Sequence, residues 1–131
     1  MSSRGSAAEN GHITDTEYLT IFVTKTGVKI LVGSNSSYHS LPDLAHTPNS
    51  VYAKLYPNGC LKEMRFYDEK GKIIVEIAVH SEPNINNGSR EPIVHFHKYD
   101  GLQRSQAYNI TPEIKEKYKE YLEDFDLYDR C

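Results

Sequence analysis

Hydrophobic and polar positions alternate along this chain over short stretches separated by turn residues, the mark of antiparallel strands. Residues 18–24 are rich in β-formers and residues 28–32 are apolar, with Lys25-Thr26-Gly27 between them as a hairpin turn. Val51, Ala53 and Leu55 alternate with Tyr52, Lys54 and Tyr56, and the run stops at the turn Pro57-Asn58-Gly59. Residues 61–67 form the next expected strand, with Met64 and Phe66 on one face, followed by the turn Asp68-Glu69-Lys70-Gly71. The cleanest alternation is in residues 72–80, where Ile73, Val75, Ile77 and Val79 lie on one side and Ile74, Glu76, Ala78 and His80 on the other. Residues 93–99 end the series, with Val94 and Phe96 on one face and Ile93, His95, His97 and Tyr99 on the other.

Beyond residue 111 the period changes to that of a helix. Ile114, Tyr118, Tyr121, Leu122 and Phe125 form one apolar stripe. Thr111 suits the N-cap, Pro112 the first helical position, and Glu113 the positive end of the helix dipole. Hairpin-length connections at 25–27, 57–60 and 68–71 make neighbouring strands antiparallel. The expected fold is therefore α+β, an antiparallel β-meander sheet packed against a C-terminal helix. Its core would bury Ile73, Val75, Ile77, Val79, Val94 and Phe96 against Ile114, Tyr118, Leu122 and Phe125. Residues 1–12 read as a disordered lead and 13–131 as one domain. Residues 33–50, full of Ser, Asn, Pro and His, read as a long functional or mobile loop.

Composition changes this picture in three places. Ten Tyr and no Trp favour β structure with half-exposed faces. The net charge of −3 argues against a broad basic surface for nucleic acid. The charge is uneven, however: Glu113, Glu116, Glu120, Glu123, Asp124, Asp126 and Asp129 crowd the C-terminus, whereas Arg90, Lys98 and Arg104 precede them. No stretch approaches the ~18 apolar residues of a spanning helix, and the N-terminus lacks the pattern of a signal peptide. The expected location is cytoplasmic, with no membrane contact. Cys60 and Cys131 lack metal-finger spacing, and reduced thiols are expected for both.

The candidate chemistry is histidine. Phosphate loops, zinc-finger spacings, nucleophile elbows and HExxH helices are absent from the sequence. His95 and His97 share a strand face with Cβ atoms roughly 7 Å apart, and His80 ends the preceding strand on the side away from its Ile/Val face. If the aliphatic sides turn to the helix, Glu76, His80, His95 and His97 share an open face. An imidazole pair can act as general base and acid, which suits metal-independent RNA cleavage, with Arg90 or Arg104 meeting the phosphate. Three histidines and a carboxylate can alternatively hold a divalent transition metal. Plain surface or strand-end roles account for the same residues equally well. His39 and His46 lie in the long loop and could approach the same face.

Thr47-Pro48-Asn49-Ser50-Val51, then Arg65-Phe66-Tyr67-Asp68-Glu69-Lys70-Gly71-Lys72, His80, and His95-Phe96-His97-Lys98-Tyr99-Asp100 resemble a pattern in C-terminal modules of bacterial polymorphic toxins and phage head-morphogenesis proteins. The resemblance covers about residues 47–110. It departs after His80, where Ser81-Glu82-Pro83-Asn84 stands in place of an Asp-His-Gly-Asn type of turn. The resemblance implies mobile-element or interbacterial-conflict biology, with His95 and His97 as the matching residues.

Two functions follow as expectations. The first is a toxin-like module of mobile-element or phage origin, a histidine-dependent, metal-independent ribonuclease. Its catalytic residues would be His80, His95 and His97, its substrate-binding residues Arg90 and Arg104, with no metal and no cofactor. The second is a non-enzymatic inhibitor or immunity-type protein, which binds a bacterial partner protein through its acidic helix and a Tyr-rich surface.

Overall fold

The computed structural model of the chain describes residues 18–33, 41–123 and 125. The expected lead at 1–12 lies outside the described residues. Eight strands form one mixed sheet among the described residues: β1 (Tyr18–Val23), β2 (Lys29–Gly33), β3 (Val51–Leu55), β4 (Leu61–Tyr67), β5 (Ile73–Ser81), β6 (Pro92–Asp100), β7 (Gln103–Arg104) and β8 (Tyr108–Asn109). Strands β1 to β7 lie side by side in chain order, and β8 pairs with β6. Two short helices follow, α1 (Pro112–Lys117) and α2 (Lys119–Leu122). The α+β class holds. The run from β3 to β6 is the expected antiparallel meander.

Two expectations about this architecture are corrected. The sheet is not wholly antiparallel, because β2 pairs parallel to β3, with Lys29 opposite Tyr52 and Ile30 opposite Ala53. The connection between them runs through residues 34–50, long enough to carry the chain back before it re-enters the sheet. The single helix is also interrupted. Thr111 caps α1 as expected, its Oγ1 accepting from the Ile114 N–H at 3.1 Å, but the chain leaves helical geometry at Tyr118. The apolar stripe survives the break. Tyr118 and Leu122 are buried, and Ile114, Tyr121 and Phe125 pack beside them on Met64, Phe66, Val75, Ile77, Val79, Val94 and Phe96.

Ile73 leaves that core. Phe66 pairs with Val75 but Tyr67 with Ile73, so one step along β4 spans two along β5, a β-bulge. The bulge pushes Ile74 out to 39% exposure and turns Ile73 to the far side of the sheet, among Tyr18, Leu31, Leu41, Tyr52 and Tyr67.

That far side is not open. The segment from Leu41 to Ser50 lies over it instead of looping away. Tyr67 donates its hydroxyl hydrogen to the Pro42 carbonyl, and Arg65 Nη1 donates to the Leu41 carbonyl at 2.7 Å. The segment is clasped to the β4–β5 turn, with the Ala45 N–H donating to Gly71 O and the Asn49 N–H to Asp68 O, both at 2.9 Å. Gly71 has φ +81°, and a Cβ there would sit 2.2 Å from the Ala45 carbonyl oxygen. Only glycine fits at that position.

Cys60 follows the β3–β4 turn and is disulfide-bonded, which corrects the expected reduced thiol. No helix among the described residues is long and apolar enough to cross a membrane.

Candidate functional site

Strand pairing assembles a polar grid on the far side of the sheet. Glu76 of β5 stands opposite Arg65 of β4 and His97 of β6; Ala78, two residues on, stands opposite Glu63 and His95. Side chains two apart on a strand point the same way, so all these groups project from one face. The small Ala78 leaves the room that the His95 ring occupies. His80 follows at the end of the same row, its ring centroid 5.8 Å from that of His95, and the His95 and His97 rings meet edge-on at 5.2 Å. The sequence placed Glu76, His80, His95 and His97 together, and they are together. They do not line an open face: Glu76, His95 and His97 are 2%, 0% and 4% exposed.

Each buried histidine is oriented by the backbone. His95 Nδ1 lies 2.7 Å from the Ile93 carbonyl and His97 Nδ1 2.9 Å from the Ser105 carbonyl. A carbonyl only accepts, so Nδ1 carries the proton in both rings and Nε2 holds a lone pair. His95 Nε2 is buried with no hydrogen-bond partner among the described residues. The nearest carboxylate is that of Glu82, with Oε2 3.8 Å away, too far for a hydrogen bond. Glu82 precedes the 3₁₀ turn Pro83–Ile85, and its side chain is 28% exposed, nearer to solvent than His95 and His97.

The charges around the rings set their protonation. Burial holds His95 below the usual imidazole range, and burial together with the neighbouring His95 does the same for His80. Both are therefore neutral at pH 7, and the 3.9 Å approach of His80 Nε2 to Glu63 Oε2 is not an ion pair there. Burial, then the nearby Glu76, raises the Glu63 carboxyl. Burial works against the Arg65 charge, but Glu76 outweighs it and keeps the guanidinium firmly protonated.

The expected substrate-binding arginines divide. Arg104 reaches the cluster, with Nη1 3.7 Å from Glu76 Oε1 and its own side chain 55% exposed. Arg90 stands exposed in the loop before β6, and among the described residues no ion pair or hydrogen bond ties it to the cluster. His46 lies in the covering segment, and its Nε2 makes no hydrogen bond to the three histidines, while His39 lies outside the described residues. Of the described tyrosines, Tyr108 is exposed and Tyr56, Tyr99 and Tyr121 are half-buried. Glu63, Arg65 and Glu82 were missed as site residues. Alternation with Met64 and Phe66 already put Glu63 and Arg65 on the histidine side; Glu82 lies past the strand end, where alternation carries no signal.

No protein-family model, no curated protein and no solved structure matches the chain.

Proposed function

We propose that this chain is a toxin-like module of mobile-element or phage origin that cleaves RNA at the histidine cluster. The observation that supports it is convergence. His80, His95 and His97 come from two strands and meet beside Arg104, an exposed cation at the edge of the same cluster. The other motif residues of the toxin and phage resemblance account for themselves structurally, since 47–51 and 68–71 form the clasp over the sheet. Of the three, His80 is the histidine whose side chain solvent reaches, 33% exposed although its Nε2 is buried, and its ring is assigned as the base that removes the ribose 2′-hydroxyl proton. The 2′-oxygen then bonds to phosphorus while the bond to the 5′-oxygen breaks, and that oxygen takes up a proton from solvent water, with the proton on His80 returning to solvent. Arg104 offsets the charge gathering on the phosphate. The substrate is cytoplasmic RNA.

Induction in a bacterial host should arrest growth, and the purified protein should leave RNA ends with 2′,3′-cyclic phosphate. His80→Ala and Arg104→Ala, both at solvent-accessible positions, should reduce cleavage about 100-fold or more, in line with acid–base contributions. Full toxicity in both variants would end this reading.

A second reading, a non-enzymatic inhibitor of a partner protein, has its own supporting observation. His95 and His97 are walled in, whereas Glu113, Glu116, Glu120 and Glu123 stand exposed on and beside the two helices. Charge reversal at Glu116, Glu120 and Glu123 should then abolish the biological effect with the histidine variants unaffected.

A further inference from the structure

His95 presents a chemical problem that the fold itself does not solve. Its ring is fully buried, its Nδ1–H is committed to Ile93 O, and its Nε2 lone pair faces no donor among the described residues. A buried acceptor without a partner costs about 1–3 kcal/mol, so such atoms are rare in folded proteins. The atoms nearest to it are acceptors as well. Glu82 brings a carboxylate oxygen to 3.8 Å, and His97 brings a ring whose proton is likewise held at Nδ1 by a backbone carbonyl. One donor atom from each of Glu82, His95 and His97 lies within 4.8 Å of the other two.

Two imidazoles and a carboxylate drawn this close, with a buried His95 Nε2 that no described residue satisfies, form the donor set of a cation site. We propose that Glu82, His95 and His97 bind a divalent transition metal ion of the zinc type. The choice of metal follows from the donors. Two imidazole nitrogens and one carboxylate oxygen suit zinc and its neighbours, whereas calcium and magnesium require shells built mainly of oxygen. The spacing agrees. Donors about 2.0–2.2 Å from a tetrahedral ion stand roughly 3.3–3.6 Å from one another, so the Glu82–His95 edge at 3.8 Å is nearly closed. The remaining distances, at most 4.8 Å, need an inward movement of about 1 Å. Glu82 lies at the start of the 3₁₀ turn, is partly exposed, and can supply it on the Glu82–His97 edge, while the His95–His97 edge closes by rotation of the rings.

The surroundings are those of a ligand shell. Backbone carbonyls of Ile93 and Ser105 fix each imidazole in the tautomer that offers Nε2, the same arrangement that orients metal-binding histidines generally. The Glu76 carboxylate, held between Arg65 and Arg104, stands opposite His97 at the border of the site. Three protein donors leave the fourth tetrahedral position to water or substrate on the Glu82 side. His80 lies next to His95 and retains a free Nε2 of its own. This proposal rests on the reading that the histidine cluster is the functional site, and it replaces unaided imidazoles with a metal centre there.

The test is calorimetric titration of chelator-stripped full-length protein with zinc chloride, and with cobalt(II) for the visible bands of tetrahedral coordination. The expected result is one ion per chain, a higher melting temperature with metal, and tetrahedral cobalt bands. Glu82→Gln removes one donor charge at a partly exposed turn. It should weaken binding by at least about tenfold, by analogy with losses of metal-site groups, while the metal-free melting temperature stays unchanged. His97→Ala should abolish the cobalt bands. Absence of stoichiometric binding overturns the proposal, as does binding of equal strength in Glu82→Gln and His97→Ala. The two readings fail separately. Metal binding without RNA cleavage overturns the ribonuclease alone, and RNA cleavage without stoichiometric metal binding overturns the metal centre alone.

Discussion

Arg65 and Glu76 face each other across β4 and β5, and the guanidinium Nε donates to the carboxylate Oε2 at 2.9 Å with both side chains buried. The Arg65 Nη1 group reaches outward, to the carbonyls of Leu41 at 2.7 Å and Pro42 at 3.2 Å. One side chain thus fixes the covering segment to the sheet and neutralises the carboxylate under the histidines. Arg65→Ala leaves the buried Glu76 with only the more distant, exposed Arg104 beside it, and should cost about 3 kcal/mol in urea denaturation. Arg65→Lys retains the charge but not the fork, and its stability should fall between those of the wild type and Arg65→Ala. An Arg65→Ala loss below about 1 kcal/mol would mean that the pair contributes little.

Burial of Glu63 gives the fold a defined pH response. Its carboxyl is raised by desolvation and by Glu76, so the folded chain holds that proton more tightly than the unfolded one. The contribution is fully present below the ordinary glutamate value and is lost as pH rises through the raised one. Glu63→Gln keeps an oxygen for the Leu41 N–H, which now sits 3.3 Å from Oε1, and removes the charge. The variant should melt higher than the wild type at about pH 8, and the gap should close at about pH 4. Equal melting temperatures under the alkaline condition would refute the assignment.

The bulge in β5 makes two isoleucines of the same strand a matched pair. Ile77 is fully buried beneath the helices, and Ile77→Ala should cost about 2–5 kcal/mol. Ile74, pushed out by the bulge, is 39% exposed, and Ile74→Ala should change stability by roughly 0.5 kcal/mol or less. Chemical denaturation of the two variants decides the matter, and similar losses would place the bulge elsewhere.

Two glycines with positive φ separate backbone freedom from steric fit. Gly59 has φ +91° and open space where a methyl group would sit, so Gly59→Ala should cost about 1 kcal/mol. Gly71 has the same backbone requirement plus the Ala45 carbonyl in the way, and Gly71→Ala should cost at least about 2 kcal/mol. The excess, read from denaturation midpoints, measures the clasp. Equal costs would show that the Leu41–Ser50 segment yields.

What the amino-acid order determined by itself was everything that depends on neighbours within a few residues. Alternation put His95 with His97 and Glu76 with His80, because successive side chains on a strand point to opposite faces whatever the strand pairs with. Thr111 capped its helix, and Asp68 to Gly71 made a turn, for equally local reasons. The tertiary structure decided the rest. Ile73 changed sides because β4 and β5 share a bulge, a property of the pairing and not of either strand alone. The far side of the sheet became an interior at Arg65 and Tyr67 because they bind carbonyls 24 and 25 residues away, at Leu41 and Pro42, and the Ser105 carbonyl lies against His97. Glu82 joined His95 only because β5 and β6 are held in a register that sets Ser81 opposite Pro92 and brings the following turn over the ring. Those contacts join parts of the chain far apart in sequence, and no local periodicity encodes which distant partner a side chain will meet.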